Sequence, residues 1–169
     1  MVEPSKELQL IFDKAIKDAK KLQHEYVTLE HLVHAIFCEQ NFCKLLATYG
    51  ANVDYIKHNL ESYLKNELGD LKIPETKYKP KKTSTVERVL NRAFTQTLFA
   101  GRSTIELTDL LLSVLSEKKS VCTYYLEKGG LDKASFTEFI NDEYDLMEDD
   151  EVVSGEEKRA LRAFATDLN

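Results

Sequence analysis

The residues whose types and spacing come nearest to a chemical site are two histidines and a cysteine in the first quarter of the chain. His31, His34 and Cys38 stand at positions i, i+3 and i+7, so a helix would turn all three side chains towards one face. Imidazole and thiolate are ligands that suit Zn²⁺, and His24 is placed to add a fourth from the preceding loop. A capping histidine, a surface histidine and a small buried thiol explain the same residues without a metal. We therefore expect no bound metal or other cofactor, and we keep a small zinc-binding helical protein as the minor alternative.

Motifs of catalytic chemistry are missing from the sequence. It contains no GxxxxGK(S/T) loop to hold the phosphates of a nucleotide, no HExxH pair and no GxSxG nucleophile elbow. Carboxylates are abundant, among them Glu30, Glu61, Glu87 and Glu106. Nearly all of them fall on polar helix positions, where we expect water to solvate them. The sequence therefore predicts a chain that is not an enzyme.

An internal repeat indicates which elements would position these residues. Residues 12–37 and 90–115 align at a constant offset of 78, with apolar residues matching apolar residues. A second block aligns at an offset of 80, which places Gly50 on Gly130. Repetition at a fixed period is the signature of a duplicated structural unit. A duplicated group of helices favours a recognition module over a catalytic cleft.

Apolar residues in each copy recur at the spacing of amphipathic helices. Thr28 is placed to cap the second helix, and Gly50 to end the third in a left-handed conformation. The fourth helix is predicted to begin near Asn52 in the first copy and at Asp132 in the second. The sequence thus predicts an all-α fold, a tandem repeat of two four-helix units with pseudo-twofold symmetry.

The same pattern divides the chain into four segments. We predict a first helical repeat over residues 1–68, a basic linker over 69–82, a second repeat over 83–142 and an acidic, flexible tail over 143–169. Prolines in the linker exclude a continuous helix there, and its lysines keep it in solvent. We expect the linker to be a spacer that lets the copies pack together, with a basic docking strip for an acidic partner as the alternative.

Bulk properties limit the partners and the compartment. A net charge of −6 argues against nucleic acid, whose phosphates require a basic surface. No apolar stretch approaches the roughly 20 residues that span a bilayer, and the first ten residues lack the apolar segment of a signal peptide. The three cysteines form no CxxC pair, and we expect Cys43 and Cys122 to be packing residues. We therefore expect a cytoplasmic protein that binds neither nucleic acid nor membrane.

Three stretches resemble the N-terminal domain of Clp/Hsp100 unfoldases. They are HEYVTLEHLVHAI (24–36), RVLNRAF (88–94) and GRSTIELTDLLLSVL (101–115), and they occur in the order and at the separation of that family's two repeats. The resemblance covers roughly residues 5–142 and is closer to ClpA, the partner of the ClpP peptidase, than to ClpB or ClpC. It implies a tandem repeat of four-helix units. The segment LRAFATDLN (161–169) is similar to the one that enters the first ATPase domain in these proteins.

The resemblance also implies a function. In ClpA-type proteins this domain docks a ClpS-type adaptor and receives unfolding substrates, while ClpP is reached only through a ring ATPase. Carried over to this chain, the adaptor-binding residues are Glu25, Thr83 and Arg88. The alternative is a free-standing domain of the same fold that competes for adaptor or substrate. Whether the reading frame continues into a nucleotide-binding motif would distinguish the two.

Overall fold

Each copy of the repeat forms four helices, in the order that the sequence predicts. The computed structural model describes residues 2–67 and 80–149, with the backbone alone for residues 67 and 143–149. The first copy comprises α1 (Lys6–Lys21), α2 (Leu29–Ile36), α3 (Gln40–Tyr49) and α4 (Val53–Ser62), which continues as a π-helical turn over Tyr63–Glu67. The second copy comprises α5 (Ser84–Phe99), α6 (Leu107–Leu115), α7 (Val121–Lys128) and α8 (Lys133–Asp149). The predicted all-α tandem repeat is confirmed.

Side-chain caps begin the helices where the sequence predicts them. Thr28, Asn52 and Asp132 each accept a hydrogen bond from the backbone N–H three residues further on, at 3.5, 3.1 and 3.0 Å. Each oxygen satisfies one of the N–H groups that the first turn of a helix leaves without an intrahelical partner. Gly50 ends α3 with φ at 115°, a left-handed conformation that glycine adopts without steric cost.

Short parallel strands, which the sequence does not predict, join the two copies. Strand β1 (Glu3–Pro4) pairs with β4 (Thr104–Ile105), and β2 (Tyr26–Val27) pairs with β3 (Lys81–Lys82). The offset of 78 that relates the copies in sequence carries β1 onto β3 and β2 onto β4. Each pair therefore joins the beginning of one copy to the entrance of the second helix of the other, as pseudo-twofold symmetry requires.

One apolar core runs through both copies. Helix α1 packs on α2 and α5 on α6, while α7 contacts both α2 and α4 of the first copy. The largest fully buried side chains include Phe37, Phe42 and Phe136, and burying a side chain of this kind contributes about 1.5–3 kcal/mol. Cys122 is fully buried in this core and Cys43 is half-buried against it, as predicted for packing residues.

Helix α8 continues to Asp149, past residue 142, where we expect the second copy to end. The predicted linker lies outside the described residues as far as residue 79, and the predicted tail lies outside them from residue 150. Lys81 and Lys82 form β3, so the last part of the linker belongs to the joint between the copies. Among the described helices, none combines the length and apolar character that a membrane span requires.

Candidate docking surface

A polar cleft of about 330 Å³ lies where the beginnings of α2, α5 and α7 come together. Most of its side chains carry hydroxyl groups or charges. The residues that line it are Thr28, Leu29, Glu30, Thr83, Thr85, Arg88, Glu117, Lys119, Ser120 and Val121. Two of the three residues expected to contact an adaptor, Thr83 and Arg88, therefore line the same cleft.

Glu25, the third expected residue, lies beside the cleft at the entrance to β2. It is exposed, and its backbone carbonyl accepts a hydrogen bond from the N–H of Lys81 at 3.0 Å. The next bond of this strand pair runs from the N–H of Thr83 to the carbonyl of Val27 at 3.3 Å. The β2–β3 pair thus holds Glu25 close to the segment that leads into the cleft.

Arg88 is held by a carboxylate that the sequence does not single out. Its Nε and Nη2 donate to the two carboxylate oxygens of Glu117, at 3.1 and 2.6 Å. Arg92 donates to the same carboxylate at 2.6 Å. The hydrogen bond from Arg88, assisted by the one from Arg92, lowers the pKa of Glu117 to about 2 against the opposing effect of burial. The Glu117 side chain is 10% exposed whereas the Arg88 side chain is 55% exposed, so a partly buried carboxylate orients an exposed guanidinium.

The Thr83 hydroxyl is used within the fold. Its oxygen accepts a hydrogen bond from the N–H of Val86 at 3.2 Å and so caps α5. A hydroxyl that accepts one bond still has its own O–H to donate. A partner in the cleft can therefore receive a hydrogen bond from Thr83 without disturbing the cap.

Two carboxylates predicted to be solvated are placed differently. The thiol of Cys122 donates to Glu30 Oε2 at 3.3 Å and links α7 to α2 at the edge of the cleft. Burial, together with the charge of Glu30, raises the pKa of Cys122 well above its usual range, so this group remains a thiol. Glu106 is 4% exposed, and the prediction that it is solvated is wrong, because it begins α6 inside the joint between the copies.

The candidate metal ligands His31, His34 and Cys38 do not form one group. The N–H of Thr28 donates to His31 Nδ1 at 3.0 Å, so His31 carries its proton on Nε2, which lies 2.8 Å from His24 Nδ1. Both ring nitrogens of His31 are thus engaged, and burial lowers its pKa to about 4. His34 lies instead beside Cys38, with its Nδ1 3.9 Å from the Cys38 Sγ. No group of three or more histidine, cysteine or acidic side chains among the described residues is arranged to hold a metal.

A second, apolar groove of about 430 Å³ runs between α1 and α5. Its lining consists mainly of large apolar side chains with a few polar ones at the margins. The residues are Pro4, Leu8, Gln9, Phe12, Asp13, Ile16, Lys82, Leu90, Asn91, Phe94 and Ile105. Phe94 is 42% exposed, so the groove presents aromatic surface to solvent.

The fold and the cleft define a tandem helical-repeat domain that shares one apolar core and carries a polar cleft where its two copies adjoin. The family model of the Clp repeat N-terminal domain matches residues 3–129. The chain belongs to this family, and the resemblance found in its sequence is confirmed.

Individual relatives agree with this assignment. The chain is 23% identical over 136 residues to a ClpA homolog from Fuscovulum blasticum; the match covers 80% of this chain, which spans about 17% of that protein's length. The N-domain of ClpV from Vibrio cholerae superposes with a TM-score of 0.65 at 16% identity, over 80% of this chain and 81% of that one. The ClpV N-domain in complex with a VipB peptide gives 0.61 at 18% identity, over 78% and 80%. At these identities the structural likeness establishes the fold alone.

Proposed function

We propose that this chain is the adaptor- and substrate-docking domain of a ClpA-like, ATP-dependent protein unfoldase, and that a ClpS-type adaptor binds at the polar cleft. The single observation that carries the proposal is the juxtaposition of Thr83 and Arg88 on one cleft, with Arg88 fixed by Glu117. Family membership and the ClpA homolog among its relatives support it.

The chemistry of the cleft suits a polar partner. Arg88 uses Nε and Nη2 on Glu117, which leaves N–H groups of Nη1 for an acceptor on the adaptor. Glu25 is exposed and adds an acceptor of opposite charge at the margin. An interface that carries both positive and negative charges fixes the register of its partner and disfavours partners whose charges do not match.

In this proposal the domain itself catalyses nothing. Unfolding and threading would belong to an ATPase ring, and ClpP would be reached only through that ring. The segment that follows α8 would tether the docked adaptor near the ring, which raises the effective concentration of its cargo there. The contribution of this chain is therefore recognition.

Mapping by NMR tests where the adaptor binds. Addition of an unlabelled ClpS-type adaptor to the ¹⁵N-labelled chain is expected to shift the amide resonances of Glu25, Thr83 and Arg88, together with those of α7 at the cleft. Resonances of α3, which is absent from the cleft lining, are the internal control. Shifts confined to α3, or none at saturating adaptor, would contradict the proposal.

A second binding function is favoured by the apolar groove. Partly exposed Phe94 and the apolar flanks of α1 and α5 form a channel that a peptide can enter. The ClpV N-domain, which shares the fold, has been captured in complex with a VipB peptide. We propose that the groove receives peptide segments of substrates while the cleft receives the adaptor.

A further inference from the structure

The two ends of the apolar groove are not alike, although pseudo-twofold symmetry would make them so. At the offset of 78, Lys82 is the counterpart of Pro4, and Phe94 is the counterpart of Ile16. Pro4 lies in the β1–β4 pair and Lys82 in the β2–β3 pair. Because the two copies carry different residues at these equivalent positions, one end has the cation Lys82 and the other has the exposed aromatic ring of Phe94.

The cation is directed over the groove. The ammonium nitrogen of Lys82 lies 5.8 Å from the centre of the Phe12 ring, within the range of an attractive cation–π contact. Lys81 and Lys82 are both exposed, and Asp13 is the acidic side chain in the lining. Lys82 makes no salt bridge within the described part of the chain, so its ammonium group is available to an acidic group of a ligand.

We propose that the apolar groove binds a peptide segment in one orientation, with a large apolar side chain against Phe94 and an acidic group against Lys82. This inference rests on the proposed peptide-binding function of the groove and specifies the chemistry of its ligand. Charge complementarity at Lys82 selects the acidic group, and the aromatic surface at Phe94 selects the apolar one. The polar cleft takes no part in this selection.

Two dye-labelled peptides test the inference. They share a leucine–phenylalanine–leucine core and differ only in carrying glutamates or lysines on both sides. By fluorescence anisotropy in low salt, the acidic peptide is expected to bind roughly three- to fivefold more tightly, the size of one exposed ion pair. Added salt should reduce the difference, because it screens exposed charges.

Variants separate the two parts of the inference. Lys82→Glu is expected to reverse the preference for the acidic peptide, and Asp13→Asn is expected to increase it. Lys17 is exposed on α1 and lies outside the groove lining, so Lys17→Glu should leave the preference unchanged. Phe94→Ala should weaken both peptides. Equal affinities for the two peptides, or a preference that survives Lys82→Glu, would overturn the charge selection while leaving the groove as a peptide site. Failure of both peptides to bind the folded chain would overturn the groove itself.

A spin label tests the orientation. For a peptide with glutamates at one end and a nitroxide at the other, the amide resonances around Phe94 are expected to broaden more than those around Lys82. Equal broadening at both ends would show that the peptide binds in either direction and would overturn the single orientation.

Discussion

His31 in the first copy and Asp109 in the second stand at equivalent positions and hold their helices in the same way with different chemistry. Each accepts a hydrogen bond from the backbone N–H three residues earlier, at 3.0 Å for His31 Nδ1 and 2.8 Å for Asp109 Oδ2. Both therefore complete the cap at the beginning of the second helix of their copy. The duplication has kept the geometry and changed the acceptor.

The partners of these two residues have changed with them. His24 Nδ1 lies 2.8 Å from His31, whereas Arg102 donates two hydrogen bonds to Asp109, at 2.9 and 2.6 Å. The offset of 78 carries His24 onto Arg102. One copy thus uses a buried, titratable histidine pair where the other uses a bidentate ion pair.

Acid is expected to destabilise the fold through His31. The unfolded chain binds this proton near pH 6.5 and the folded chain only near pH 4. The neutral His31 ring therefore contributes its full share to the free energy of unfolding above pH 6.5, and this contribution is lost as the pH falls towards 4. We expect the free energy of unfolding, measured by urea denaturation, to fall by about 2 kcal/mol between pH 7 and pH 5.

A histidine elsewhere provides the control for this pH dependence. His58 is exposed on α4, so His58→Gln should leave the slope of stability against pH unchanged. A free energy of unfolding that stays constant from pH 7 to pH 5 in the unsubstituted chain would contradict the account of His31.

Replacement of His24 and His31 by the arginine–aspartate pair of the second copy is expected to show that the two positions are energetically coupled. His24→Arg alone introduces a cation into a buried site without its carboxylate, and His31→Asp alone removes the imidazole that His24 contacts. The double variant recreates the pair of the second copy, so it should be more stable than the sum of the single changes by about 1–2 kcal/mol. A double-mutant cycle at pH 7 measures this. If the free-energy changes of the two single variants simply add, the site in the first copy does not accommodate the arginine–aspartate pair of the second copy.

The helices and their ends could be predicted because local chemistry determines them. Thr28, Asn52 and Asp132 cap helices through groups only three residues away, and the repeat at an offset of 78 is visible in the sequence itself. The strand pairs could not be predicted, because two residues are too few to show an alternating pattern.

The geometry of the candidate site was harder to predict than the fold. Thr83 and Arg88 came from the family resemblance, but Glu117, which orients Arg88, is 29 residues away in sequence and belongs to no local motif. The arrangement of His31 could not be predicted, because helical spacing places side chains on a face without specifying which ring nitrogen is already bonded. That choice depends on the N–H of Thr28 and on His24.

Glu117→Gln is expected to weaken adaptor binding without a change at the proposed interface residues themselves. The amide keeps the size of the side chain but removes the charge that holds Arg88 and Arg92. The guanidinium of Arg88 then becomes free to adopt other orientations, so we expect the dissociation constant of a ClpS-type adaptor to rise roughly tenfold. Glu127→Gln, an exposed position on α7 outside the cleft lining, is the control. Unchanged affinity in a folded Glu117→Gln chain would contradict a positioning role.

Gly129→Ala is expected to loosen the contact between the copies. A methyl group at Gly129 would overlap the side chain of Ile56, which is fully buried. Overpacking of this kind typically costs about 1–3 kcal/mol, and urea denaturation would measure the loss. In an Ile56→Ala background the same methyl has room, so Gly129→Ala should then cost less. An equal loss in both backgrounds would place its cause elsewhere.

Calorimetric titration with a ClpS-type adaptor measures the proposed docking function itself. We expect saturable, one-to-one binding that Arg88→Ala weakens roughly tenfold. Lys17→Ala, which removes an exposed lysine outside the cleft, is expected to leave binding unchanged. Absence of binding at high micromolar adaptor, by a chain whose circular dichroism shows that it is folded, would contradict the adaptor-docking function.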